Sequence, residues 1–390
     1  MTEQNTRVVV IGGGYAGVVA ANHLRQRPDV EITLVNPRPD FVERIRLHQR
    51  VAGSDDATVD YAGILGPGIE LVVDAATLID AAGRRVLLFD GAPLHYDYLI
   101  YAVGSGSAMP TVPGADEFAY PIADLEQAQR LTTALDQLHF GAPVCVVGAG
   151  PTGLETAAEL AEQGRAVTLV CPVLGPYLST PGRRSVAKRL RKLGVEILDG
   201  PGATVTGGAA DAVTLADGRR VPSFVTIWTT GFGVPDLALR SGLHTDAIGR
   251  LLSDETLTSV DDDRIVAAGD AAAPSGQPLR MSCQAAIPLG AQAANTVLAR
   301  IAGTEPATIN QAFTGQCISL GRDAGIIQFA HKDDTAVPLY VGGRAAAMVK
   351  EAVCKSTIGA LRREAQKPGS AFWFKGGKRP AAGATAVTTP

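Results

Sequence analysis

The sequence predicts an α/β fold in which one βαβ unit occurs twice, and three observations carry that expectation. RVVVIGGGYAGVVAANHL, from Arg7, aligns without a gap to PVCVVGAGPTGLETAAEL, from Pro143, at a constant offset of 136 residues. Each copy is followed by a similar apolar run, EITLVN ending at Asn36 and AVTLVC ending at Cys171. Glycine is in excess, at 44 of 390 residues, while hydrophobic residues reach 46%. Such glycines serve turns and close backbone approaches rather than a disordered chain or a collagen repeat.

Each element follows from its residues. Runs of four or five apolar residues read as buried parallel strands, and the alanine-rich segments after the glycines read as helices. Within each turn the glycines divide the work: Gly12 and Gly148 allow the tight turn, Gly14 and Gly150 let a diphosphate approach the backbone, and Gly17 and Gly153 let helix pack on strand. The helix N-terminus then offers free N–H groups and a positive dipole end to the phosphates. Both copies are therefore Rossmann-like dinucleotide-binding units. DYLIYAVG, ending at Gly104, and FVTIWTTG, ending at Gly231, each place a strand before a glycine turn near the end of a unit. DDDRIVAAGDAA runs an apolar strand, Ile265 to Ala268, into Gly269 and Asp270. A carboxylate there can accept hydrogen bonds from a ribityl chain, or it can cap the next helix.

Length and charge bound the alternatives. The chain is long enough for two or three domains. A net charge of −4 does not suit a nucleic-acid binder. Five scattered cysteines, Cys145, Cys171, Cys283, Cys317 and Cys354, form no CxxC pair, so neither a disulfide framework nor a metal site is expected. The start, MTEQNTR, shows no apolar signal region, and no stretch is long enough to span a membrane. A cytoplasmic protein is expected.

Together these motifs resemble the two-dinucleotide-binding-domain flavoproteins, and within them the branch of type II NADH dehydrogenases and the ferroptosis-suppressor and apoptosis-inducing-factor-like oxidoreductases. The resemblance covers residues 7 to about 350 and extends to CQAAIPLGAQAANTV from Cys283, to CISLGRDAGIIQF from Cys317 and to VGGRAAAMVKE from Val341. It implies that the first glycine turn is the FAD fingerprint, the second the NAD(P)H fingerprint, and Gly269–Asp270 the ribityl motif. FAD would be the cofactor and NAD(P)H the co-substrate. The implied division is an FAD unit over 1–115 and 248–312, an inserted NAD(P)H unit over 116–247, an interface or membrane-proximal region over 313–375, and a disordered tail over 376–390.

Departures from that pattern are specific. Asn36 stands where the family places an acid on the adenosine ribose, and Cys171 stands at the corresponding NAD(P)H position, with Arg183 and Arg184 a dozen residues on, so the preference for NADH or NADPH stays open. The quinone-associated pattern of type II NADH dehydrogenases becomes CQAAIP, keeping Gln284 and Ala286 and replacing a glutamine with Pro288. Glu155 replaces Val19 of the first copy, and the resemblance implies a catalytic role beside the nicotinamide; a solvent-facing or helix-start acid is the plainer alternative. A helix beginning near Cys283 would aim Gln284 and Ala285 at the flavin. Arg44 and Arg46 either contact phosphate or flavin or belong to a solvated helix, and His48 has no visible partner and is given no catalytic role.

The implied activity passes hydride from NAD(P)H to FAD and electrons to a quinone-type acceptor. The alternatives are reduction of a ferredoxin- or rubredoxin-type carrier protein and a slow-turnover redox-signalling flavoprotein. Between Val341 and Arg379 there are nine Lys or Arg and two Glu, a local +7, which leaves −11 for the rest. With Phe372, Trp373 and Phe374 beside lysines, this segment suits an anionic membrane surface on the cytoplasmic side, or a helix docked on the protein. The oligomeric state is open, a homodimer being one option.

Overall fold

The computed structural model describes residues 5–108, 110–377 and 379. Most of the expected tail, 378 and 380–390, lies outside the described residues.

The first copy is β1 (Thr6–Ile11), α1 (Tyr15–Leu24) and β2 (Val30–Asn36). A short helix, α2 (Leu47–Val51), precedes β3 (Ile69–Val73) and β4 (Tyr98–Tyr101). After β5 (Ala119–Pro121), the second copy follows as β6 (Pro143–Val147), α3 (Pro151–Glu162) and β7 (Ala166–Cys171). It continues through α4 (Thr180–Lys192), β8 (Glu196–Asp199) and β9 (Val225–Trp228). The chain then returns with β10 (Ile265–Ala267) and α5 (Cys283–Ile301). It closes with an antiparallel sheet, β11 (Gly315–Ser319), β12 (Gly325–Ala330) and β13 (Ala336–Gly343), that leads into α6 (Arg344–Gln366).

Two all-parallel five-stranded sheets result, in the orders β10-β4-β1-β2-β3 and β5-β9-β6-β7-β8. Their central strands are buried on both faces, so they carry continuous valine and isoleucine rather than alternation. Strand β10 enters the first sheet beside β4 although 163 residues lie between Tyr101 and Ile265, because the second sheet is inserted between them. The chain crosses between the two sheets twice. The two crossings are clasped as a short antiparallel ribbon, Gly106–Ser107 against Phe232–Gly233.

The seam between the sheets is filled from three directions. Leu47 and Val51 of α2 bury themselves in the apolar core of the second sheet, as do Ile318, Leu320 and Ile326 of the antiparallel sheet. In α5, Pro288 lacks the N–H that would bond the Gln284 carbonyl, and the Gln311 side-chain amide donates to that carbonyl instead at 3.0 Å. The Ser282 hydroxyl caps the same helix by accepting from the Ala285 amide at 3.3 Å.

Candidate functional site

The two glycine turns are superimposable in detail. Gly12 and Gly148 have φ of +103° and +102°, and their amides donate to Val35 and Val170, each at 2.8 Å. A Cβ on Gly12 would collide with the Ala102 carbonyl, and one on Gly17 or Gly153 would strike the carbonyl of Gly12 or Gly148. The middle glycines differ. Around Gly14 and Gly150 a Cβ would meet nothing within 4 Å, and neither helix has a side-chain N-cap. Each turn therefore presents open space against uncapped helix N–H groups, which fits a diphosphate.

Around the first turn the predicted residues fall into two groups. Asn36 is buried, its Oδ1 accepting from the Gly13 amide at 3.0 Å and its Nδ2 donating to the Arg38 carbonyl at 2.8 Å, so it braces the turn from below. At the carboxyl ends of β4 and β10, Gly104 and Gly269 take φ of +71° and +66°. Beside them the Ser105 hydroxyl donates to Asp270 at 2.7 Å. Arg44 is drawn into this group: its Nη1 donates to Ser105 at 3.0 Å and lies 3.6 Å from Asp270, while its Nε donates to the Ala123 carbonyl. Arg44 is thus part of a polar cluster rather than of a solvated helix. Gly231, φ +78°, ends β9 at the inter-sheet ribbon. At the start of α5, the Gln284 side chain donates to Thr314 at 2.7 Å, and Ala285 is buried with its amide held by Ser282.

Glu155 is only 5% exposed, so it is not the solvent-facing acid of the plainer alternative. One carboxylate oxygen accepts from the Ser319 amide and pairs with the Lys350 ammonium, both at 3.0 Å; the other lies 3.5 Å from His48 Nδ1. The expectation that His48 has no partner is therefore corrected: α2 carries it into contact with Glu155, and its Nε2 lies 3.4 Å from the Ser319 hydroxyl. Burial raises the Glu155 carboxyl, but Lys350, His48 and the Ser319 amide outweigh it and hold the group below the usual carboxylate range. Lys350, which burial alone would push down, is raised chiefly by Glu155. One turn further along α3, burial pushes Glu159 up to about 7, partly opposed by Arg322.

Lys350, Ser319 and His48 come from three separate elements and were missed in the sequence. Only the acidic pair Glu155 and Glu159, four apart on one helix face, was a usable signal. The cluster joins the two glycine helices: Glu155 stands on α3, and Lys350 on α6, which packs against α1. From solvent it is reached through a polar pocket of about 340 Å³ lined by Arg46, Ser319, Arg322, Lys350 and Glu351.

His48 sets an acid limit on stability. Burial lowers its imidazole to about 4 from an ordinary value of 6.5, with Glu155 opposing part of the shift. The fold therefore favours neutral His48, and its contribution is complete above about pH 6.5 and declines as pH falls toward 4, by about 3 kcal/mol. Urea midpoints measured from pH 7 down to pH 4.5 are expected to fall less steeply for His48→Gln than for the unaltered chain; parallel profiles would refute this.

The C-terminal segment departs from a uniformly basic, aromatic surface. Of its positive charges, Lys350 is buried against Glu155 and Arg379 is paired with Glu255. Trp373 turns inward, its indole donating to the Asn310 carbonyl at 2.9 Å, and leaves Phe372 and Phe374 exposed. Along α6, Ala345, Met348, Val349, Ala352 and Val353 form an exposed stripe at helical spacing, continued by Leu339 and Val341 of β13. Among the described residues no helix is long and apolar enough to cross a membrane, and no His, Cys, Asp and Glu cluster suits a metal. All five cysteines are free.

Comparison with known proteins bears on the fold and the family. An NADH dehydrogenase-like protein of Mycobacterium tuberculosis is 33% identical over 324 residues, covering 75% of this chain and 80% of its own. A type II NADH:quinone oxidoreductase of the same organism is 29% identical, covering 77% and 74%. Among solved structures, the sulfide:quinone oxidoreductase of Aquifex aeolicus shares the fold with a TM-score of 0.78 at 22% identity, covering 93% of both chains. The family model described as pyridine nucleotide-disulphide oxidoreductase matches residues 6–290, and the chain belongs to that family.

Proposed function

We propose that the chain is an FAD-dependent NAD(P)H dehydrogenase with a quinone-type acceptor. The observation that carries this reading is the pair of equivalent turns, each with open space at its middle glycine, flanking one buried acid–base cluster. FAD, when bound, accepts hydride from NAD(P)H and passes electrons on singly or in pairs. The first turn, at Gly12, Gly14 and Gly17, would hold its diphosphate, and Asp270, oriented by Ser105 and Arg44, would accept from its ribityl hydroxyls. The second, at Gly148, Gly150 and Gly153, would hold NAD(P)H. Residues 1–115 with 248–312 then form the FAD unit, and 116–247 the NAD(P)H unit.

Glu155 and Lys350 keep a carboxylate and an ammonium together, each holding the other in its charged form, so the pair presents fixed charge beside the second glycine turn. The polar pocket above them connects that pair to solvent. The likeness to a type II NADH:quinone oxidoreductase supports the acceptor class. Anaerobic mixing with NADH or NADPH should reduce the flavin, and a soluble quinone should reoxidise it. Turnover only with a ferredoxin-type carrier, or reduction without turnover, would count against this reading.

The α6 stripe supports peripheral attachment to the cytoplasmic face of a membrane. Its apolar side chains are flanked by exposed Arg344 and Lys355, the arrangement that anionic bilayers bind. Co-sedimentation with phosphatidylglycerol vesicles at low salt should be lost in a Met348→Glu, Val353→Glu double variant. Equal sedimentation of the variant would exclude this surface.

A further inference from the structure

We propose that Asp199 recognises the adenosine ribose of the nicotinamide dinucleotide and makes the second unit select NADH over NADPH. This rests on the reading that the Gly148–Gly153 turn takes NAD(P)H. In dinucleotide-binding units of this kind, an acid at the carboxyl end of the second strand accepts from the ribose 2′-hydroxyl, and that carboxylate repels a 2′-phosphate. Here the second strand, β7, ends in Cys171, which is 2% exposed and carries no carboxylate. The neighbouring strand supplies one. Strands β7 and β8 run parallel with Cys171 opposite Asp199, so the two ends are level and one strand spacing, about 4.8 Å, apart.

Three features place Asp199 on the rim of the nucleotide turn. The Gly175 amide donates to the Ala149 carbonyl at 3.1 Å, which ties the loop after β7 to the glycine turn. The Gly200 amide donates to the Pro172 carbonyl at 3.2 Å, which ties the turn after β8 to that same loop. The Asp199 side chain itself is exposed and has no hydrogen bond or ion pair among the described residues. Burial raises the Cys171 thiol, and the neighbouring Asp199 charge adds to that rise.

The first copy provides an internal control. There the residue opposite Asn36 is Val73, and the next acid, Asp74, is consumed by the amides of Ala75, Asp90 and Gly91. An unspent carboxylate at this level occurs in the second copy and not in the first. Of the two candidate cations for a 2′-phosphate, Arg183 is spent, donating to the carbonyls of Gly175, Pro176 and Leu178, each at 3.0 Å, and so holds the loop; Arg184 is exposed, and Asp199 must outweigh it.

The test is direct binding of NAD⁺ and NADP⁺ to the FAD-loaded protein by calorimetry, alongside kcat/KM for NADH and NADPH. The unaltered protein should bind NAD⁺ at least about tenfold tighter than NADP⁺, a ratio matching one charge-assisted hydrogen bond. Asp199→Asn should bring that ratio to within about threefold, mostly through gained NADP⁺ affinity, without changing flavin content. Equal binding of both nucleotides by the unaltered protein, or an unchanged ratio in Asp199→Asn, would overturn the role of Asp199 and leave the nucleotide site standing. If neither nucleotide binds at all, the reading of the second turn fails along with it.

Discussion

Gly14→Val is expected to abolish FAD retention while leaving the apo fold as stable as the unaltered chain, and Gly150→Val to keep FAD and weaken NAD(P)H at least a hundredfold. The separation follows from geometry. Both residues have ordinary negative φ, −79° and −69°, in extended backbone that a β-branched residue adopts readily, and a Cβ at either meets nothing within 4 Å. The added methyl groups then occupy the space a diphosphate needs, and a hundredfold loss corresponds to about 2.7 kcal/mol. Gly12→Ala is the contrasting control. Its φ of +103° and the facing Ala102 carbonyl leave no room for a side chain, so it damages the fold itself. Thermal unfolding of the flavin-free proteins, flavin content after purification, and KM for NAD(P)H check all three; a Gly14→Val protein that keeps its flavin would refute the assignment of the first turn.

The second large effect concerns the Glu155–Lys350 pair. Lys350→Met removes the ammonium and leaves a buried carboxylate, a change that costs about 3–5 kcal/mol, and the Glu155→Gln, Lys350→Met double variant should recover most of that loss. The pH dependence should change sign. In the unaltered chain the Glu155 carboxyl lies below the usual range, so its contribution is present above the ordinary carboxylate pKa and is lost as pH falls through the folded value. In Lys350→Met, burial is opposed only by His48 and the Ser319 amide and lifts the carboxyl. Its contribution is then present at low pH and lost as pH rises. Urea unfolding between about pH 3 and 8 reads both slopes, and parallel curves would show that the two groups are not coupled. Glu155→Gln alone should slow flavin reduction by NADH at least about tenfold with nucleotide affinity nearly unchanged, because the amide keeps the shape and loses the charge.

Much of the fold was legible because a repeated motif constrains local geometry. The strand, glycine turn, helix and strand of each copy lie within thirty-odd consecutive residues, and their apolar runs and glycines determine one another. The cluster around Glu155 was not legible, since its partners lie 107 residues before it and 164 and 195 residues after it, at His48, Ser319 and Lys350. Nothing in the residues near Glu155 selects those three; the docking of α2, the antiparallel sheet and α6 at the seam does. The two residues at the strand ends illustrate the same limit. Asn36 stands at the end of its strand where an acid was the pattern, and its amide bridges Gly13 and Arg38, contacts that local sequence does not announce. Cys171 looked like a missing acid, and the carboxylate level with it belongs to a strand whose pairing partner the sequence does not announce. The C-terminal charge count was misleading for a related reason: counting treats every lysine as surface, and Lys350 is turned against Glu155 with its side chain 13% exposed.

The ribbon of Gly106–Ser107 and Phe232–Gly233 has a practical consequence for engineering. The chain leaves the first sheet and comes back to it at one place, so everything between is a removable cassette whose two ends already touch. A foreign nucleotide-binding unit spliced at those four residues would inherit the entry and exit geometry of the original, while β4 and β10 stayed side by side to complete the recipient sheet. Its donor would need to supply a buried carboxylate at the Glu155 position, because His48 and Lys350 remain behind with the host.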